Sequence, residues 1–332
     1  MRIYYCFLFL CSFLLMACKT EQPEFPKEEV LTPELMPLQG ITSPFFLDIK
    51  SPFLIVQNDY RQRTDSIFHI YDLNSYELKS VFGLIGRGPS EFLDPGLFSA
   101  QLSDFLIVDM NIGLAYFFGI NKDGSPTLND SKKSNYIHGI GNAAFINDSL
   151  FVTDEAFYSP YMHLLSFQDE LPRKSWQFRN PAIINGFIDP DYGKVYANND
   201  RIIFCYYFKK QIDFMDIEFN LFKRVKFDYV TPSITQENQS IVNQSYIAGY
   251  LGKRYLYALF MGVPWKDGIN LSFRESILEV FDLDGNPVIK YRLDGLPPTS
   301  FVVDEEIFTL YGCREDGEPE DHLLVYKLKG LQ

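Results

Sequence analysis

Phe105-Leu106-Ile107-Val108-Asp109, followed after a short polar turn by Phe118-Gly119-Ile120-Asn121-Lys122-Asp123-Gly124, is the stretch whose reading decides the fold. The first run is too short for a helix, carries no 3.6-residue period, and is built of β-branched and aromatic residues. It reads as a strand covered on both faces. The second is the end of an aromatic strand entering a turn that closes on glycine.

The same pair recurs along the chain. Runs like the first are Phe53-Leu54-Ile55-Val56, Leu150-Phe151-Val152-Thr153-Asp154, Arg201-Ile202-Ile203-Phe204, Arg254-Tyr255-Leu256-Tyr257-Ala258-Leu259 and Glu306-Ile307-Phe308-Thr309-Leu310-Tyr311. Each precedes a strand end and turn, beginning at Tyr71, Ser166, Met215, Phe281 and Tyr326. With Phe118 these markers return about every fifty residues, and one longer gap separates Met215 from Phe281. Thr231–Ile247 accounts for that gap and is expected to form a short helix from Pro232 or Ser233.

Six repeats of roughly four strands each predict an all-β chain, a six-bladed β-propeller with four antiparallel strands per blade. Blade one is expected at Phe45–Ile49, Phe53–Gln57, Ser66–Tyr71 and Glu77–Phe82. The chain stops just past the sixth aromatic strand, so blade six lacks an outer strand of its own. An unpaired edge invites aggregation. The segment near residues 30–38 is available to complete that blade and close the ring, its Pro33 and Pro37 being tolerable on an edge strand.

At the N-terminus, Arg2 is the only charge before Lys19, and Ile3–Leu15 is an apolar run shorter than a membrane span but suited to a signal peptide. It ends in Leu15-Met16-Ala17-Cys18, which resembles a bacterial lipobox, with a small residue before the cut and a thiol to carry lipid. The expected organisation is therefore a lipoprotein signal peptide over 1–17, a lipidated Cys18 and Pro- and Glu-rich tether over 18–36, and the propeller over 37–332. This places the protein in the cell envelope, lipid-anchored to a membrane through Cys18 and facing the periplasm or the outer membrane. Cys205 and Cys313 are the only other cysteines of the mature chain, which is no disulfide framework.

Lys and Arg total 30 against 43 Asp and Glu, a net charge of −13 that repels phosphate backbones and excludes nucleic acid as an expected partner. Partners of another kind are sought on the loops. In an antiparallel blade with strands A to D, the B–C and D–A connections share one face, and the A–B and C–D turns share the other. The long connections here are of the first kind: 58–65, 83–96, 155–161, 179–192, 228–245 and 261–275. Long loops on a rigid face are where binding resides. They carry the candidate ligand-binding residues Arg61, Arg63, Arg87, Glu91, Tyr158, Tyr161, Arg179, Asp191, Trp265 and Arg274, together with Asp59, Asp189, Tyr192 and Asp267. Aromatic rings with Arg and Asp suit carbohydrate or peptide groups, stacking on apolar faces while bonding hydroxyls and carboxylates. The plainer alternative is that the rings pack the loops and the charges solvate them.

Gly86-Arg87-Gly88-Pro89-Ser90-Glu91-Phe92 carries a family resemblance. It is similar to the G-x-G-P-x-E-[FY] segment after the first blade of the six-bladed, TolB-like propeller lipoproteins common in Bacteroidetes. The resemblance implies the same fold and envelope location, with no reaction attached. Physically, the glycines permit a tight turn, Pro89 stiffens it, and Arg87 and Glu91 are expected to pair across it.

No nucleophile elbow, phosphate loop, H-E-x-x-H or C-x-x-C occurs, and His69, His138, His163 and His322 are scattered over different repeats. No catalytic residue, cofactor or metal ligand is assigned. Asp282-x-Asp284-Gly285-Asn286 superficially resembles a calcium loop, but Leu293 stands where the bidentate Glu belongs, so a hairpin turn is expected. Asp65-Ser66-Ile67 and Asp148-Ser149-Leu150 match a D-[ST]-hydrophobic O-glycosylation triplet. The expected function is a non-catalytic binding module for an extracytoplasmic glycan, peptide or envelope protein, with a propeller hydrolase or lyase acting on a glycan or lactone as the alternative.

Overall fold

Phe105 and Ile107 pack to one side of their strand and Leu106 and Val108 to the other, and all four are fully buried. A strand buried on both faces needs a sheet on each side of its own. The computed structural model shows how this is met. It describes residues 23–59, 66–88, 91–99, 103–138, 142–154, 159–183, 185, 188–229, 233–264, 267, 275–295, 297–314, 319 and 321–331.

The described chain opens with β1 (Glu28–Leu31) and β2 (Glu34–Pro37). Blade one is β3 (Pro44–Lys50), β4 (Phe53–Asn58), β5 (Phe68–Asp72) and β6 (Leu78–Phe82). A small parallel pair, β7 (Leu84–Ile85) and β8 (Glu91–Phe92), follows. Blade two is β9 (Pro95–Phe98), β10 (Phe105–Asp109), β11 (Leu114–Ile120) and β12 (Pro126–Lys133). Blade three is β13 (Ala143–Phe145), β14 (Leu150–Thr153), β15 (Tyr161–Ser166) and β16 (Lys174–Gln177). Blade four is β17 (Gly193–Ala197), β18 (Ile202–Tyr206), β19 (Gln211–Met215) and β20 (Leu221–Lys226). Blade five is β21 (Tyr246–Leu251), β22 (Tyr255–Phe260), β23 (Glu275–Asp282) and β24 (Pro287–Asp294). Blade six is β25 (Ser300–Asp304), β26 (Thr309–Cys313) and β27 (His322–Lys327).

Within each blade, neighbouring strands are antiparallel and in chain order, so the molecule is a six-bladed β-propeller. The core is a set of six apolar clusters, each shared by two adjacent blades. Phe53, Ile55 and Phe68 of blade one meet Phe105 and Ile107 of blade two and Phe92 of β8, and Leu106 and Val108 meet Phe145, Phe151 and Leu165 of blade three. The same exchange continues around the ring, and Leu54, Val56 and Tyr71 meet Val302, Leu323 and Val325 where blade six rejoins blade one. Period-two alternation with both faces apolar is thus explained by having a neighbour on each side.

The ring closes with the expected N-terminal strand. β2 pairs antiparallel with β27, Glu34 opposite Val325 and Pro37 opposite His322, as the outer strand of blade six. The tether expected over 18–36 is corrected at its C-terminal end. Glu28–Leu31 is a strand, running parallel to β24 as a fifth strand of blade five. Val30 and Leu35 are exposed while Leu31 and Met36 are buried, a one-sided alternation that the flanking prolines disguise as linker. Upstream, Phe25 sits between Phe227 and Phe281.

The recurrent aspartates of the sequence markers hold the C–D turns. Asp282 Oδ1 accepts from the backbone N–H groups of Asp284 and Asn286, and its Oδ2 from Asn286 Nδ2 at 2.9 Å. Asp216 binds Glu218 and Asn220 in the same way. Both carboxylates are engaged in fixing the turn, which is a hairpin. The helix expected from Ser233 is absent from the described part of that segment, which holds instead a single 3-10 turn at Gln239–Ile241. Pro232 lies outside the described residues.

Candidate functional site

The six innermost strands surround an axial cavity of about 390 Å³. Its wall is aromatic: Phe46, Phe98, Phe145, Tyr192, Tyr196, Tyr250 and Phe301 all line it, with Ser99, Thr299 and Lys194 as polar groups. Side chains stitch adjacent blades together around it. Asn142 Nδ2 donates to Gly193 O at 2.8 Å and its Oδ1 accepts from Val195 N at 3.0 Å, tying blade three to blade four. Gln57 makes the same two-way bond to Pro95 O and Leu97 N between blades one and two. Buried amides satisfied at both ends make a rigid mouth.

On the long-loop side of that mouth, blades three and four bring together a charged cluster. Arg179, just past β16, is only 3% exposed. Its Nε and Nη2 both donate to Ser159 O, at 3.2 and 2.6 Å, while Nη1 finds no hydrogen-bond partner among the described residues. The guanidinium also lies over the Phe178 ring, 5.5 Å from its centroid. Asp154, the first residue beyond β14, is 2% exposed and leaves Oδ1 equally unpartnered among the described residues. Burial, opposed by the Asn142 backbone and the Arg179 charge, pushes its carboxyl up to about 7. Asp189 is fully buried and braces the loop, accepting from Asn180 N at 3.1 Å and Asp191 N at 2.8 Å; burial raises its carboxyl too. Tyr192 joins this cluster to the cavity: it lines the axial wall, and burial with the nearby Asp154 charge pushes its phenol up to about 12. Leaving buried donors and acceptors unpaired is costly, and native proteins keep such groups where a ligand or water completes them.

A third raised carboxyl stands on the inner strand of blade one. Asp48 is buried on β3, holds the Ser99 hydroxyl at 2.7 Å and the Ile49 N–H on Oδ1, and leaves Oδ2 unpartnered among the described residues; burial pushes it up to about 7.

The structure gathers some of the residues singled out in the sequence and separates others. Arg179, Asp189, Asp191 and Tyr192 belong to one loop, where Asp191 forms an ion pair with Lys209. Tyr161 begins β15 and is partly exposed, its ring stacked on His163 at 6.3 Å. Arg87 and Glu91 sit in another sector, and the pair expected between them is not formed. Glu91 turns into its own loop and accepts from Gly88 N at 2.6 Å, because a carboxylate there satisfies a backbone donor that the tight turn strands. Arg87 is left exposed. Phe92 anchors the motif, edge-on to Phe68 and Tyr116 at 5.7 and 5.3 Å. The motif is therefore a structured connection between blades. Arg61, Arg63, Tyr158, Trp265, Arg274 and Cys18 lie outside the described residues. Asp154 and Asp48 are site residues that loop positions do not reveal; an aspartate closing or interrupting an apolar run is the sequence signal that marks them. Lys209 carries no signal of its own.

Cys205 and Cys313 are both buried, and burial pushes the Cys205 thiol well above its ordinary value, as suits an inert packing residue. His69 is buried on β5 and held neutral, pushed down to about 4 by loss of solvent. Among the described residues no group of three or more His, Cys, Asp or Glu is gathered for a metal ion, and no helix is long and apolar enough to cross a membrane.

Fold and site together define a six-bladed propeller with an aromatic axial cavity and a charged cluster at its long-loop mouth. No family model matches the sequence, and no curated protein matches it. Among solved structures, the crystal structure of Chaetomium thermophilum Raptor is similar over 92% of this chain, with a TM-score of 0.47 and 10% identity. This chain spans 29% of the length of that one.

Proposed function

We propose that the chain is a cell-envelope lipoprotein, anchored through Cys18, whose propeller is a non-catalytic binding module. Its ligand is an extracytoplasmic glycan, peptide or protein segment, taken at the long-loop mouth of the ring. The observation that carries this reading is the pair of buried polar atoms, Arg179 Nη1 and Asp154 Oδ1, that find no hydrogen-bond partner among the described residues, beside the cavity-lining Tyr192. One is a donor and the other an acceptor, and both belong to side chains almost wholly removed from water. A ligand offering adjacent hydroxyls or an amide completes both at once, and the aromatic wall below accepts its apolar face.

A specific observation favours a second reading. Asp154, pushed up to about 7, is poised to give or take a proton near neutrality, as a hydrolase or lyase acting on a glycan or lactone requires. Thermal-shift screening of the mature chain against glycans, peptides and divalent metals tests both. A saturable rise in melting temperature that is lost in Tyr192→Phe or Arg179→Lys supports binding at the mouth. Turnover of the stabilising ligand, abolished in Asp154→Asn, moves the assignment to an enzyme. A shift that persists unchanged in all three variants removes this site from the function.

A further inference from the structure

We infer, building on the reading that the mouth is a binding site, that the group taken there is an acidic sugar. A uronate ring sets its carboxylate against Arg179 and the neighbouring hydroxyl against Asp154.

The first argument is charge. A guanidinium does not give up its proton inside a protein, so burial leaves a full positive charge that needs an opposite one. Arg179 is almost wholly buried, yet its Nε and Nη2 are both engaged by one neutral carbonyl, Ser159 O, and Nη1 finds no hydrogen-bond partner among the described residues. The Arg179 charge is felt by Asp154, Asp189 and Tyr192, which makes these its neighbours. Neither carboxylate forms an ion pair with it among the described residues. Asp189 is engaged by the N–H groups of Asn180 and Asp191, and Asp191, the other carboxylate of that loop, is paired with Lys209. The axial cavity below has the same sign. In a chain of net charge −13, no Asp or Glu lines its wall among the described residues, and Lys194, two residues beyond Tyr192, is the only charged residue there. An anion on an uncharged body matches both places.

The second argument separates a sugar from a peptide. An extended peptide is bound chiefly through main-chain groups at a free strand edge. On the inner strands those groups are engaged: Asn142 holds Gly193 O and Val195 N, Gln57 holds Pro95 O and Leu97 N, and Asn198 Nδ2 donates to Gly252 O at 3.0 Å. The unmet groups at the mouth belong to side chains, the donor of Arg179 and the Oδ1 of Asp154. A uronate carries its carboxylate and a hydroxyl on neighbouring ring carbons, one for each. Asp154, whose carboxyl burial keeps protonated up to about 7, bonds that hydroxyl without repelling the carboxylate beside it. Tyr192 and Tyr207 meet edge-on with centroids 5.8 Å apart, and their rings supply the apolar surface on which the C–H face of a sugar rests.

Isothermal titration of the mature chain with methyl glucuronoside, its methyl ester and methyl glucoside, at fixed ionic strength, tests the assignment. The uronoside should bind about ten-fold or more tighter than either neutral sugar, because a hydrogen bond between two charged partners is about twice as strong as a neutral one. Arg179→Gln should abolish that preference, and Tyr192→Ala should weaken all three sugars. Should Arg179→Gln fail to fold, the ester comparison on the parent chain decides alone. Equal affinity for the three sugars, weakened by Tyr192→Ala, overturns the acidic class and leaves the mouth as a binding site. Binding of a short peptide that needs its free C-terminal carboxylate, with no binding of the uronoside, overturns the sugar and leaves the site. Uronoside binding that neither variant alters overturns both the inference and the mouth as its site.

Discussion

Removing the N-terminal arm through Leu38 is expected to unfold the whole ring, although it deletes no strand from blades one to four. The arm buries Leu31, Met36 and Leu38 at 6%, 2% and 5% exposure. At about 1.5–3 kcal/mol for each fully buried side chain, these contribute roughly 5–9 kcal/mol. Its loss also strips β27 of its outer partner, uncovering the edge opposite Leu323 and Val325. A domain's entire stability is about 5–15 kcal/mol, so the deletion removes most of it. Truncation through Pro33 is the informative control. It takes away β1 and Leu31 but leaves β2 in blade six, and should cost about 1.5–3 kcal/mol. Met36→Ala in the full chain, by creating a cavity between blades six and one, should cost about 2–5 kcal/mol. Urea unfolding followed by Trp176 fluorescence ranks the three. Retention of a cooperative transition at the parent midpoint after truncation through Leu38 would refute the closure argument.

Asp48 and Asp154 hold protons in the folded state up to about pH 7, whereas the unfolded chain releases them near the ordinary 3.8. Folding is therefore favoured by these groups at low pH, and their contribution falls as pH rises through this window, by about 1 kcal/mol per unit for each group. Buried neutral His69 acts in the opposite direction between about 4 and 6.5, so variant and parent melting curves are compared; Asp154→Asn and Asp48→Asn should each gain stability relative to the parent as pH rises from 5 to 7. Tyr76 occupies a left-handed turn conformation at φ 59° with its ring exposed, and Tyr76→Gly should raise stability by about 1 kcal/mol by relieving it. Gly285 holds the corresponding turn in blade five at φ +79°, where a Cβ would come within 2.8 Å of Lys223 Cγ, so Gly285→Ala should cost about 1–2 kcal/mol in the same denaturation assay. Glu279, 1% exposed, is paired with Lys210 at 2.6 Å and accepts from the Tyr246 hydroxyl at 2.7 Å. Lys210→Met should cost about 3–5 kcal/mol by stranding that carboxylate, and adding Glu279→Leu should recover much of it; no recovery would show that the pair is not the source of the loss.

The blade count was legible because a propeller writes its architecture locally. Each second strand is short and apolar on both faces and precedes an aromatic strand, and six copies of the pair typified by Phe105–Gly124 are enough to count the ring. Closure was legible as well, since a missing outer strand in blade six demands a donor and the N-terminal arm is the available one. The reach of the arm was less clear. Pro33 and Pro37 mask the alternation of Val30 with Leu31 and of Leu35 with Met36, and a parallel fifth strand on blade five leaves no hairpin signal at all.

The site divided differently. The long connections identified the working face, and Arg179 stood among their residues, but it stood beside Arg87 with nothing to rank one above the other. The structure separates them: Arg87 is solvated beside its loop, while Arg179 is buried with one donor unpaired among the described residues. Asp154 and Tyr192 become its neighbours only because blade three is packed against blade four. Repeat spacing is a local property, written in every blade and readable one blade at a time. Whether a charge is buried, and what it faces, depends on where two distant loops meet once the ring has closed, and that is decided by tertiary structure alone.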